Sequence, residues 1–149
     1  EVCMNNQEKY SYWEEYARYD LDTAEVMFDT GRYLYSVFMC QQALEKIVKG
    51  IFVLYTGEEP VKTHNISLVF NRLCERNEFR KCITDDDFEH RKSEYIPVFV
   101  RLLAFYISTR YPSYKEKLTA ILTKSEAEEV LNKTKEAFVW VQSLKKFLM

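Results

Sequence analysis

A cluster of polar side chains interrupts the most apolar segment of the sequence, YLYSVFMCQQALEKIVKGIFVLY. Gln41, Glu45 and Lys49 are spaced four residues apart, and Gln42 and Lys46 form a second row beside them. Side chains four residues apart on a helix can pair, which contributes a few tenths of a kcal/mol per pair. Because burial of a polar group costs free energy unless it is hydrogen-bonded, the cluster indicates either internal pairing or a binding surface.

Two charged residues elsewhere lie beside apolar stretches of the sequence. Asp20 is at the edge of an apolar stripe, where a carboxylate needs a cation or a hydrogen-bond donor nearby. Arg110 follows a long apolar segment, so its charge could complement the dipole at a helix C-terminus or belong to a pocket. The sequence leaves both interpretations of Arg110 open.

The two histidines do not form a recognisable metal site. Neither occurs in the Glu-x-x-His spacing of di-iron helical bundles. Asp87 and His90 have a related spacing that is more typical of a solvated helix face, and His64 has no ligand type four residues before or after it. Glycine-rich phosphate loops, nucleophile elbows and zinc-protease patterns are also missing from the sequence. We therefore predict no metal, no cofactor and no catalytic residue of a known motif.

The composition favours an all-α protein of one domain. The 149 residues include only three glycines and three prolines, and long segments repeat apolar residues at helical spacing. A chain of this length can bury one substantial core and is too short to suggest two. We therefore expect a single helical domain over residues 1–149.

Charge and cysteine content argue against several classes of function. The net charge is −2, and basic and acidic residues are interspersed, which does not favour broad binding to a nucleic-acid backbone. The four cysteines include no Cys-x-x-Cys pair, which favours reduced thiols and a cytoplasmic location over a disulfide-bonded helical cytokine. Lysines interrupt the longest apolar run, so no membrane partner is expected.

Periodicity and capping patterns predict an up-and-down bundle of about five helices with one minor extra helix. Two capping boxes, Ser11-x-x-Glu14 and Ser125-x-x-Glu128, predict the starts of the first and last helices. Gly31 predicts a left-handed end to the first helix. The other predicted elements are a second helix ending at Thr56-Gly57, a third near 63–77 capped by Thr63 or Asn65, a helical piece over 84–91, and a main fourth helix over 96–110.

The second and fourth predicted helices are apolar on more than one side. The second has Tyr35, Phe38 and Val53 opposite its core stripe, so that side should contact another helix or a second copy of the chain. The fourth is apolar nearly all round and is expected to be buried. Pro97 is disfavoured inside a helix, so we expect a break or kink near Ile96. The core stripe of the second helix comprises Tyr33, Val37, Cys40, Leu44, Ile47, Ile51 and Leu54.

Four segments of the sequence resemble the HEPN domain family, named for higher eukaryotes and prokaryotes and for a proposed nucleotide-binding role. The segments are Gly31-Arg-Tyr33, Phe38-Met-Cys-Gln-Gln-Ala-Leu-Glu-Lys46 with Lys49, Thr63-His64 and Thr109-Arg-Tyr-Pro112. The similarity extends from about Tyr16 to the last helix. It implies a helical bundle that often dimerises and that is frequently paired with a minimal nucleotidyltransferase as a toxin-antitoxin system.

Many members of the family are, by the same resemblance, metal-independent endoribonucleases with an Arg-x(4 to 6)-His motif. The arginine would neutralise phosphate charge and the histidine would transfer a proton. This sequence departs from the motif, since Lys115, Glu116 and Lys117 occupy the places where the histidine would follow Arg110. A protonated lysine is a poor base, so we do not expect ribonuclease activity by the usual mechanism.

Three hypotheses for function follow. The first is a non-enzymatic homodimer that binds nucleotide, RNA or a partner nucleotidyltransferase through a polar cleft, in which Arg110 binds phosphate and Tyr111 stacks or forms a hydrogen bond. The second is an endoribonuclease toxin with an altered catalytic set, and the third is a non-catalytic dimeric scaffold. The predicted binding set is Lys46, Lys49, Arg110, Tyr111, Gln42 and His64, and the predicted structural pairs involve Asp20, Gln41 and Glu45.

Overall fold

The computed structural model describes residues 3–112, 114, 117 and 121–148, and all regular structure in that part of the chain is helical. Five long helices and one short helix confirm the predicted all-α bundle. The elements are α1 (Asn6–Asp29), α2 (Tyr33–Thr56), α3 (Ile66–Glu75), α4 (Asn77–Arg80), α5 (Phe88–Ser108), α6 (Lys124–Ser143) and a terminal 3-10 helix (Leu144–Phe147).

α2 is the central helix of the bundle. It contacts α1, α3, α5 and α6, and sixteen of its 24 residues are buried. Gly57, with φ of 71°, ends α2 where the sequence predicted. The prediction that its second apolar side contacts another helix is confirmed for Val53, which is fully buried, and for Phe38, which stacks on Tyr106 of α5. Tyr35, at the start of α2, remains 62% exposed.

α1 begins ahead of the predicted capping box at Ser11, so that prediction was wrong. Asn5 accepts a hydrogen bond from the backbone N of Glu8 (2.8 Å), and the Glu8 carboxylate accepts one from the backbone N of Asn5 (3.3 Å). Ser11 lies inside the helix, where its hydroxyl donates to a backbone carbonyl one turn earlier (3.0 Å). The earlier start makes the same capping bonds and adds Tyr10 to the core.

α6 also begins earlier than predicted. Thr123 forms the capping box with Glu126, through bonds of 3.1 and 3.4 Å, and Ser125 lies within the first turn. Leu122 and Ala127, the positions of a hydrophobic staple around this cap, are both buried. Burial of Leu122 therefore favours the cap at Thr123 over the predicted one at Ser125.

α5 runs without a break through Pro97, so the predicted break there was wrong. A proline inside a helix removes one backbone donor and costs about 3 kcal/mol. Tyr95 and Phe99, on either side of it, are buried in the core, and their packing offsets this cost. The helix is not buried all round as predicted, because Val100 and Ile107 are 56% and 62% exposed.

The segments between α2 and α5 are shorter helices than the sequence predicted. Asn65 caps α3 by accepting a bond from the backbone N of Leu68 (3.1 Å), which confirms one of the two predicted caps. The predicted third helix over 63–77 is too long at both ends, and the chain continues into α4 instead. The predicted helical piece over 84–91 is the approach to α5 and its first turn.

Buried side chains of all five long helices form one hydrophobic core, with aromatic contacts among Phe70, Phe88, Phe99 and Trp140. The four cysteines are free thiols, which excludes the disulfide-bonded alternative. Burial raises the pKa of Cys40 to about 12 and that of Cys74 to about 11. Over the described residues, none of the helices has the length and apolar character needed to cross a membrane.

Candidate functional site

A buried polar network forms around Glu45 on α2. Its Oε1 accepts a hydrogen bond from Gln41 Nε2 (3.0 Å), and its Oε2 pairs with Lys49 Nζ (3.0 Å). The side chains of Glu45 and Lys49 are only 8% and 10% exposed. Charges this deeply buried depend on each other and on further hydrogen bonds, because little water reaches them.

The connection between α2 and α3 supplies those further bonds. Gln41 Nε2 also donates to the backbone O of His64 (2.9 Å), and Lys49 Nζ donates to the backbone O of Thr63 (2.7 Å). The Nδ1 atom of His64 lies 2.9 Å from Glu45 Oε1. A carboxylate at Nδ1 favours the tautomer with its proton there, which leaves Nε2 as a hydrogen-bond acceptor. The His64 side chain is 53% exposed, so the ring is accessible to a ligand.

Tyr106 of α5 links His64 to Arg110. The rings of Tyr106 and His64 lie with their centroids 4.6 Å apart. Arg110 Nη1 donates to the Tyr106 hydroxyl (3.0 Å), and the guanidinium carbon lies 5.0 Å from the centroid of the same ring. Phe38 of α2 stacks on Tyr106 with centroids 5.4 Å apart. We call the set of Arg110, Tyr106, His64 and Glu45 the Arg110 site.

Lys46 lies outside the Arg110 site. Its Nζ pairs with Asp20 Oδ2 of α1 at 2.5 Å and lies 5.6 Å from the ring centroid of Tyr16. Asp20 is nearly buried, with a side chain 7% exposed. This pair joins α1 to α2 and forms no side-chain hydrogen bond or ion pair with the Glu45 network among the described residues. Lys46 is therefore used in helix packing.

Gln42 and Tyr111 occupy the margins of the predicted set. Gln42 Nε2 donates to Gln41 Oε1 (2.6 Å), so it extends the network by one amide. Tyr111 is 76% exposed. Of the predicted residues, the structure brings together Gln41, Gln42, Glu45, Lys49, His64 and, through Tyr106, Arg110.

Sequence reasoning did not assign Tyr106, Phe38 or Thr63 to the site, although Phe38 and Thr63 lie in segments that resemble the family. The two aromatic residues lie in apolar helices, where such residues are most often core. Thr63 contributes its backbone carbonyl, which any residue type would provide. Only the packing of α5 against α2 shows that Tyr106 connects two predicted site residues.

The remaining candidates from the sequence are a metal-binding cluster, His90 and the three positions where the family motif has its histidine. Among the described residues, no three His, Cys, Asp or Glu side chains gather into a group that could hold a metal ion. His90 is exposed on α5. Of the three places where the family motif has its histidine, Lys115 and Glu116 lie outside the described residues, and Lys117 is exposed.

The chain is similar in sequence to a known protein family. A family model described as the HEPN domain matches residues 10–144. A protein of Methanocaldococcus jannaschii named "Putative toxin MJ1304" is 32% identical to this chain over 136 residues. That similarity covers 89% of this chain and 83% of the archaeal protein.

Two solved structures have similar folds. One is the crystal structure of ST0689, an archaeal HEPN homologue, with a TM-score of 0.64 and 23% identity, covering 91% of this chain and 96% of that one. The other is the crystal structure of TT1696 from Thermus thermophilus, with a TM-score of 0.68 and 26% identity, covering 95% and 99%. These structures share the fold, and the family match over residues 10–144 shows that the chain belongs to the HEPN domain family.

Proposed function

We propose that this chain is the HEPN component of a toxin-antitoxin type pair. In this proposal the Arg110 site binds a nucleotide and also contacts a partner nucleotidyltransferase. The family match and the similarity to an archaeal protein named as a toxin support the toxin-antitoxin part. The placement of Arg110 supports the binding part, because this exposed arginine and the partly exposed His64 both contact the ring of Tyr106.

Arg110 is better placed for an anion than the predicted lysines. Lys46 and Lys49 are paired with Asp20 and Glu45, so their charges are already neutralised. Within the described residues, Arg110 gives a hydrogen bond to the Tyr106 hydroxyl, which occupies one of its five N–H donors. The guanidinium also lies over the ring of Tyr106 in a cation–π contact. A planar guanidinium binds phosphate through two parallel hydrogen bonds, which suits a nucleotide.

Titration calorimetry with ATP tests the binding part. Arg110→Ala is expected to weaken ATP binding by about tenfold or more, because a hydrogen bond to a charged group contributes about 1.5–3 kcal/mol. Arg101→Ala is the matched control, since Arg101 lies on α5, the helix that ends just before Arg110, and beside Phe105, but it pairs with Glu129. No ATP binding by the parent, or an equal loss in both variants, would contradict the proposal.

Purification from the native host tests the partner. The tagged chain is expected to co-elute with a nucleotidyltransferase, identified by mass spectrometry, and Arg110→Ala is expected to reduce its yield relative to Arg101→Ala. Recovery of the chain with no nucleotidyltransferase in the eluate would remove the partner from the proposal.

The pairing of His64 with Glu45 favours a second candidate function, metal-independent cleavage of RNA by an altered catalytic set. With its Nδ1 proton held by Glu45, His64 would accept the proton of an RNA 2′-hydroxyl at Nε2. The 2′-oxygen would attack the adjacent phosphorus, and the bond from phosphorus to the 5′-oxygen would break. The 5′-oxygen would take up a proton from solvent, giving a 2′,3′-cyclic phosphate and a free 5′-hydroxyl. Arg110 would neutralise charge on the phosphate.

Incubation of the purified protein with RNA in EDTA tests this second candidate. His64→Ala and Arg110→Ala are expected to lose cleavage, whereas His90→Ala is expected to retain it because His90 is exposed on α5 away from Glu45. Equal degradation by all four proteins would identify a contaminating nuclease.

A further inference from the structure

The solvent side of α1 carries a regular stripe of side chains that the bundle leaves uncovered. The stripe consists of three tyrosines, a threonine and a valine, which follow one another at intervals of four, three, four and three residues. The tyrosines and the valine are 57–72% exposed. This interval is the heptad pattern of a helix that contacts a second helix along its length. We call this stripe the tyrosine seam, and it comprises Tyr12, Tyr16, Tyr19, Thr23 and Val26.

The tyrosine seam is separate from the stripe that α1 uses for its own fold. Ala17 and Ala24 are fully buried against the bundle, and Tyr10 and Asp20 are nearly so. α1 therefore has an inner stripe covered by α2 and α6 and an outer stripe that stays exposed, where Lys46 of α2 reaches the ring of Tyr16 at one edge. Three tyrosines in a row are a large aromatic surface for a helix to leave in water.

The surface of the tyrosine seam has hollows suited to the side chains of a helix. One hollow of about 390 Å³ is lined by the three tyrosines and Glu15. Another, of about 250 Å³, is lined by Tyr12, Tyr16, Trp13 and Lys46. A helix packed along the seam would insert its apolar side chains between the tyrosine rings, as knobs enter holes in a coiled coil. The seam extends over about 20 Å, so about fifteen residues of a helix would cover it.

Charges along one edge of the tyrosine seam specify what kind of helix fits. Glu15, Asp22 and Asp29 are exposed, lie seven residues apart and border the seam on the side away from α2. None of them pairs with a cation in the part of the chain that the structure describes. In an antiparallel pairing of α1 with its own copy, this acidic edge would face itself, which is unfavourable. Lysine or arginine on the incoming helix would instead neutralise it.

We propose that the tyrosine seam binds an amphipathic helix of another protein whose apolar stripe is bordered by Lys or Arg. The aromatic rings supply apolar contact area at a low cost in conformational entropy, and the acidic edge selects the charge of the partner. The seam shares no residue with the Arg110 site, so either one can exist without the other.

Two synthetic helical peptides test the proposal. Both peptides carry Leu at the heptad positions that would contact the tyrosine seam. At the positions that flank this Leu stripe, one peptide has Lys and the other has Glu. By fluorescence anisotropy, the Lys peptide is expected to bind at least tenfold more tightly than the Glu peptide. Tyr16→Ser/Tyr19→Ser is expected to weaken this binding at least tenfold. The control Tyr114→Ser/Val139→Ser, which removes two exposed apolar side chains elsewhere, is expected to leave it unchanged.

Reversal of the acidic edge gives a second test that spares the tyrosines. Glu15→Lys/Asp22→Lys is expected to make the protein prefer the Glu peptide. Equal binding of both peptides by the parent, or binding insensitive to both seam variants, would overturn the proposal. A parent dimer in sedimentation that Tyr16→Ser/Tyr19→Ser converts to monomer would also overturn it, because the seam would then bind a second copy of the chain.

Discussion

Glu45 is the residue on which the geometry of the candidate site depends. Its carboxylate receives a hydrogen bond from Gln41, neutralises Lys49 and holds Nδ1 of His64. The same carboxylate therefore stabilises the bundle and orients the histidine. A change at Glu45 should affect stability and function together, whereas a change at His64 should affect function alone, because that side chain is half exposed.

Removal of the carboxylate is expected to be strongly destabilising. Glu45→Ala should lower the free energy of unfolding by about 3–5 kcal/mol, because Lys49 would stay buried without its counter-charge. Glu45→Leu/Lys49→Met should recover a large part of this loss, since apolar replacement of both members of a buried pair is often neutral. Urea denaturation measures both values. A double variant as unstable as Glu45→Ala would show that Lys49 is not the source of the cost.

The sequence predicted part of this site for a simple reason. The pairing of Gln41, Glu45 and Lys49 follows from spacing within one helix, and the structure has it. The bond from His64 to Glu45 joins residues 19 apart in the sequence. Such contacts depend on how the connection folds back on α2, which no local pattern encodes. The link from His64 through Tyr106 depends on packing for the same reason.

At the scale of helices, the sequence predicted which segments are helical better than where they begin. α1 contains two matching cap patterns, Asn5-x-x-Glu8 and Ser11-x-x-Glu14, that offer similar local hydrogen bonds. Burial decides between them, since the earlier start places Tyr10 in the core. Pro97 is a second case in which a local pattern gave the wrong prediction. Its preference against helix is outweighed by the packing of the residues on either side of it.

Glu14 joins α1 to the end of the described chain. Its Oε2 accepts hydrogen bonds from Tyr10 Oη (2.5 Å), Gln142 Nε2 (3.2 Å) and Lys145 Nζ (3.3 Å). Burial by itself would raise the pKa of Glu14, but these partners outweigh it and the pKa is lowered below its ordinary value of 4.5. A carboxyl with a lowered pKa in the folded state stabilises the fold above its unfolded-state pKa.

This stabilisation is lost as pH falls through the lowered pKa of Glu14, which gives a prediction for acid unfolding. Glu14→Gln should reduce the melting temperature near pH 7. As the pH falls from 6 to 3, the melting temperature of this variant should decrease by fewer degrees than that of the parent. Thermal melts across that range measure the difference. Parallel curves for the two proteins would show that Glu14 does not contribute to acid sensitivity.

The contact between α1 and α2 is close enough to require a glycine. A Cβ atom on Gly50 would lie 2.7 Å from the Cβ of Trp13, which is a steric overlap that no side-chain rotation relieves. Gly50→Ala would gain about 1 kcal/mol of helix propensity. Overpacking typically costs about 1–3 kcal/mol, so the net effect should be destabilising.

Chemical denaturation of Gly50→Ala measures this balance. Asn132→Ala, at an exposed position inside α6, is the control for helix propensity alone and should be neutral or stabilising. A Gly50→Ala protein as stable as the parent would show that α1 can move away from α2 at little cost.

At the scale of the whole molecule, two exposed apolar surfaces lie on different helices and differ in charge. The tyrosine seam on α1 has an acidic edge, which disfavours its own copy. The stripe on α5 comprises Pro97, Val100, Ala104 and Ile107, all exposed at helical spacing, and it leads directly to Arg110. The charged residues that border it on the same helix, Glu94 and Arg101, have opposite signs. A surface without a dominant charge can pair with its own copy.

We therefore predict that the chain forms a homodimer and that it does so through the α5 stripe. Sedimentation equilibrium should show a dimer for the parent, and Val100→Glu/Ile107→Glu should convert it to a monomer by placing charge in an apolar contact. Val139→Glu, at an equally exposed position on α6, is the control and should remain dimeric. A monomeric parent, or a dimer that persists in the α5 variant, would contradict this interface.

The same α5 variant also tests whether the Arg110 site needs a second chain. If the monomeric variant still binds ATP as the parent does, the Arg110 site is complete within one chain. If binding is lost with the dimer while the variant remains folded, the second chain contributes to that site.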